Sequence, residues 1–69
     1  MLTDEERIVL HRVPRKGKGH LKSSDISMEF PKARYILRRL YDNGYVNRKL
    51  VSNVYGYFLT DKGGKETGR

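Results

Sequence analysis

The chain contains no cysteine, and none of its apolar runs exceeds a few residues. The first absence excludes a disulfide framework and a thiolate metal site, and it fits an intracellular, cytoplasmic home. The second leaves nothing near the roughly 18 residues of a membrane span. The opening MLTDEER is acidic where a signal peptide is basic and then apolar. Acids are scarce as well: 8 Asp and Glu stand against 15 Lys and Arg in 69 residues, a net charge of +7. The expectation is one small soluble domain with no membrane partner, its core near the lower limit for folding unaided.

The positive charge is unevenly placed. Residues 12–49 hold eleven Lys and Arg against Asp25, Glu29 and Asp42, a local net charge of +8. Such density suits a polyanion, because each phosphate neutralised releases condensed counterions. A solvated surface, or binding to acidic lipid or protein, accounts for the charge alone equally well.

The periodicity predicts a first helix over 3–13. Thr3 and Glu6 have capping-box spacing, and Asp4, Glu5 and Glu6 lie where the helix dipole favours anions. Val9, Leu10 and Val13 share one side, Ile8 lies beside them, and Pro14 stops the run. The glycine- and lysine-rich RKGKGH that follows reads as a solvated loop, since no strand precedes it and no helix follows as in a nucleotide-binding loop. HLKSSDISMEF predicts an extended segment around Leu21, then a short helix capped by Ser23 or Ser24 with Ile26 and Phe30 inward.

A third helix is predicted over 31–43. Pro31 suits its first turn; Ala33, Ile36, Leu37 and Leu40 mark the buried stripe; Asn43-Gly44 ends it. Lys32, Arg34, Tyr35, Arg38 and Arg39 spread around the other side, with no acid until Asp42. After Gly44 the period becomes two. Strands are expected over 45–51 and 54–59, joined by a tight turn at Ser52-Asn53, with Tyr55, Tyr57 and Leu59 on one face. The polar, glycine-rich DKGGKETGR predicts a frayed tail, with the domain at 1–63 and a flexible end at 64–69.

No enzyme is expected. Ser24-Asp25 lacks a histidine base in evident reach and reads as a helix cap. His11 and His20 lack partners at metal-ligand spacing, and no paired carboxylates appear. Nothing calls for a cofactor, a metal or a small-molecule ligand.

Three stretches in this order resemble the winged helix-turn-helix domain of prokaryotic and archaeal transcription regulators of the MarR/ArsR-like kind. ILRRLYDNGYV (36–46) is similar to the family's recognition-helix end and wing start. YFLTDKG (57–63) is similar to the Leu-Thr-x-x-Gly that closes the wing, and LTDEERIVL (2–10) to the opening helix. The resemblance implies an α+β fold of three helices, a short strand and a C-terminal hairpin wing. It implies sequence-specific double-stranded DNA binding, with helix 31–43 in the major groove and the 45–59 wing on backbone or minor groove. Lys32, Arg34, Tyr35 and Arg38 match the family's outward, DNA-contacting positions, and Arg48 and Lys49 match the wing. Arg39 joins them as a cation on the same polar side. Arginine's fork pairs with guanine or phosphate, and Tyr35 can stack or donate.

Two other uses stand beside transcription regulation. A protein-interaction module would use Tyr35, Tyr45, Tyr55 and Tyr57 as anchors, although small cores ordinarily half-bury such tyrosines. RNA binding would be favoured by aromatics exposed on the sheet. A monomer is expected, because the six residues after Gly63 are too few for an isolated helix and Ile8 is the one apolar side chain left over on helix 3–13.

Overall fold

Thr3 opens α1 (Asp4–Arg12) through a complete capping box. The Glu6 amide donates to Thr3 Oγ1 at 3.1 Å, and the Thr3 amide donates to Glu6 Oε1 at 2.9 Å. Amides that a helix start leaves unpaired are thereby satisfied. The computed structural model describes residues 2–26 and 29–68. Pro14 ends α1 as its missing N–H requires, and its carbonyl accepts from the Leu59 amide at 2.8 Å.

The loop beyond Pro14 turns with Gly17 and Gly19 at positive φ and enters an extended stretch. There the Leu21 amide donates to the Tyr57 carbonyl, and the Tyr57 amide to the Leu21 carbonyl, both at 2.9 Å. The extended segment expected at Leu21 is therefore an isolated bridge. The short helix expected next is, among the described residues, a single 3-10 turn, Ser23–Asp25. Neither serine caps it. The Asp25 carboxylate does so, accepting from the Lys22 amide at 3.0 Å. Ile26 is buried as expected; Ser27 and Met28, which the expected helix included, lie outside the described residues.

Helix α2 (Phe30–Asp42) carries Pro31 in its first turn and buries Ala33, Ile36, Leu37 and Leu40. It ends in a Schellman motif. The Tyr45 amide donates to Leu40 O at 2.9 Å and the Gly44 amide to Tyr41 O at 3.0 Å, with Gly44 at φ 81°.

Strands β1 (Val46–Val51) and β2 (Val54–Leu59) then pair antiparallel, in register from Val46 opposite Leu59 to Val51 opposite Val54. The turn residues Ser52 and Asn53 have φ 49° and 69°, the double left-handed geometry that matches hairpin twist. Val46, Tyr57 and Leu59 bury against the stripes of α1 and α2.

The frayed tail expected after the wing is instead a helix, α3 (Asp61–Thr67). Its glycines disfavour an isolated helix, but tertiary contacts build one. Thr60 Oγ1 accepts from the Gly63 amide at 3.2 Å and donates to the Gly44 carbonyl at 2.5 Å. Lys62 Nζ donates to the Asn43 carbonyl at 2.8 Å. At Gly63 an added Cβ would lie 1.9 Å from the Tyr45 carbonyl oxygen, so this approach admits only glycine. Gly68, at φ 78°, closes the helix, and Arg7 reaches Glu66 at 3.4 Å from α1. The layout is that of a winged helix in the α+β class, with a third helix behind the wing and only one 3-10 turn described between α1 and α2.

Candidate nucleic-acid interface

The basic residues of α2 divide between two flanks. Lys32 and Arg39, seven apart, lie on one side and meet the acidic first turn of α1. Lys32 pairs with Glu5, and Arg39 Nε donates to Glu6 Oε2 at 2.8 Å. Glu6 is the one buried charged side chain among the described residues, 4% exposed. Hydrogen bonding from the Thr3 amide does most to hold its carboxyl below the ordinary range; burial opposes this and Arg39 assists. Glu6 in turn raises the Arg39 pKa, with Tyr35 helping, and Arg39 also lies 5.8 Å from the Tyr35 ring centre. Glu5 raises that of Lys32.

The other flank borders a groove between α2 and the hairpin. Arg34, Tyr35 and Arg38 line one wall, Tyr55 and Asn53 the other, and Arg48 and Tyr57 lie between them. Lys22 and the two serines of the 3-10 turn close one end. Four cations and no acid line this groove. Arg38 makes a loose, exposed contact of 3.6 Å with Asp42 one turn on, a pairing that contributes little in water.

Arg48 is held more firmly. Its guanidinium lies 4.0 Å from the Tyr41 ring centre on α2 and 4.2 Å from that of Tyr55 on β2. Hydrogen bonding to Tyr57 is the largest influence raising its pKa. Both backbone groups of Tyr57 are taken by Leu21, so Arg48 faces Tyr57 as a non-hydrogen-bonded pair, the kind that brings cross-strand side chains closest. Cation–π contacts on two rings brace the hairpin against the helix.

Of the seven residues singled out by the sequence, the groove gathers Arg34, Tyr35, Arg38 and Arg48. Lys32 and Arg39 are turned to α1. Lys49 follows Arg48 on the same strand and so points to the opposite face, the side on which His20 covers Gly56, Lys49's partner in register. The groove is also lined by Lys22 and Asn53, which the sequence did not single out, and by Tyr55, which it named as an anchor for a protein partner. Lys22 was legible in principle: it follows the buried Leu21, so alternation sends it outward. The tyrosines are not uniformly half-buried either, since Tyr57 is 5% exposed while Tyr35 and Tyr55 stand at 61% and 46%.

Among the described residues no histidine and acid cluster could hold a metal ion, and no helix is long and apolar enough to cross a membrane. No protein-family model matches the chain, and no curated protein sequence matches it significantly. A solved structure titled as that of the Type III plasmid segregation protein TubR shares its fold, with a TM-score of 0.65 at 19% identity. The alignment covers 86% of this chain and 63% of that one, so the present chain corresponds to part of that protein's length.

Proposed function

We propose that the groove between α2 and the hairpin is a sequence-specific interface for double-stranded DNA, in the service of transcription regulation. The observation that carries this reading is the acid-free groove, with Lys22, Arg34, Arg38 and Arg48 facing one space between two projecting elements. A duplex alternates grooves with phosphate ridges. An α-helix fits its major groove, and a neighbouring hairpin can reach across one ridge. Arg34, Tyr35 and Arg38 then face base edges, while Lys22 faces phosphate. The likeness to a plasmid-segregation protein fits a DNA partner.

Fluorescence anisotropy with a labelled duplex across a salt series tests the reading. Four to six phosphate contacts give a slope of log affinity against log salt of about −4 to −5. Binding that ignores salt, or none at low salt, would move the groove to a protein partner. Preferential binding of an RNA hairpin over the duplex would move it to RNA, a use that the exposed Tyr55 would suit.

A further inference from the structure

The end of the hairpin is unlike the rest of the basic surface. Residues 50–55, LVSNVY, contain no charged residue. Three of the five large apolar side chains exposed among the described residues lie there: Leu50 at 65%, Val54 at 47% and Tyr55 at 46%. Leu50 and Tyr55 are register partners, on the strand face that also carries Arg48 and Tyr57. The end is also well supported. A two-residue turn closes it, and Tyr55 helps to hold the Arg48 guanidinium that Tyr41 of α2 flanks from the other side.

An apolar end on a cationic surface is complementary to a partner that is anionic outside and apolar within. Across the groove stand Lys22, Arg34 and Arg38, and below the end on β1 stand Arg48 and Lys49. A DNA minor groove has this character, with phosphates along its rims and base and sugar surface on its floor. A second copy of the chain suits it poorly. Each copy carries +7, and three side chains supply little of the ~800 Å² per partner that a stable pair needs.

We propose that Leu50 and Tyr55 form an apolar wedge that enters the minor groove and opens a base step, kinking the duplex. This rests on the DNA reading above and adds a mode of contact to it. Wedges of this kind bend DNA by roughly 20–90°, most readily at flexible pyrimidine–purine steps. The target is then selected partly by its deformability, beyond the bases that α2 touches.

The test uses a duplex labelled at both ends for energy transfer, with 2-aminopurine beside a central TA step, and compares the native chain with Leu50→Ser. Leu50 is exposed, so the variant should keep its circular dichroism and melting temperature. The expected result is a rise in both energy transfer and 2-aminopurine fluorescence with the native chain. With Leu50→Ser both rises should be lost while the anisotropy affinity at low salt falls by no more than a few-fold. A duplex that is bound but stays straight and stacked, or that Leu50→Ser bends equally, overturns the wedge and leaves the DNA interface standing. Failure of both chains to bind at low salt overturns the interface as well. Sedimentation of the native chain as a dimer that Leu50→Ser dissociates would assign the apolar end to a second copy and overturn the wedge.

Discussion

Arg38 and Arg39 are adjacent on α2, share a side-chain type, and face different surroundings. Arg39 meets an acid that is buried and already fixed by the α1 cap; Arg38 meets a partly exposed Asp42 at a looser distance and a groove without acids. One helix thus carries a flank that is tied to α1 and a flank that borders the groove. Residue type does not decide which is which. The acidic first turn of α1 does, by drawing Lys32 and Arg39 toward itself and leaving Arg34, Tyr35 and Arg38 to the groove.

The largest expected effect tests how firmly α2 is held from behind. Gly63→Ala would drive a Cβ into the Tyr45 carbonyl, beside the Schellman turn that ends α2. Loss of about 3 kcal/mol or more is expected in urea denaturation.

The contrast itself is sharpened by exchanging readouts between the neighbours. Arg38→Ala should leave the melting temperature nearly unchanged and weaken binding to a preferred duplex by about 1–3 kcal/mol. Arg39→Ala should lower the melting temperature while leaving the affinity of the folded chain intact. If the two variants behave alike, the division of α2 into two flanks is wrong.

A smaller effect lies in the acid range. The Glu6 carboxyl is held below its ordinary value of 4.5, so its stabilising contribution is complete above that pH. That contribution is lost as pH falls through the lower, folded-state value, because the unfolded chain then binds the proton more readily. Glu6→Gln should therefore be less stable than the native chain at pH 7 and should lose less stability between pH 5 and pH 3. Denaturant titrations at those pH values would measure both.

The smallest effect concerns the wing turn. Ser52 holds φ 49°, a region that side-chain-bearing residues avoid. Ser52→Gly should stabilise the hairpin by under about 1 kcal/mol without altering DNA affinity, as thermal melts and anisotropy would show.

Much of this fold was legible because it is locally determined. The Thr3 and Glu6 box, the Ala33 to Leu40 stripe, the stop at Gly44 and the turn at Ser52-Asn53 each depend on residues a few positions apart. Helix α3 was not legible, since Gly63 and Gly64 read as disorder until the Tyr45 carbonyl supplies the approach that needs Gly63 and Thr60 supplies the cap. Of the expected middle helix the described residues hold the Ser23–Asp25 turn, where Asp25 rather than a serine accepts from the Lys22 amide. For the site, helical periodicity separated Arg34, Tyr35 and Arg38 from the core but could not say which flank α1 would cover. The split between Arg48 and Lys49 was available from the two-residue period of a strand.

The central claim is that a partner sees one flank of α2 and not the other. Arginine Nε–Hε NMR spectra, recorded while a short duplex is titrated in, address it directly. Large shifts are expected for Arg34 and Arg38 and a nearly stationary Arg39, its Nε still bonded to Glu6. Shifts largest at Arg39, or equal on both flanks, would contradict it.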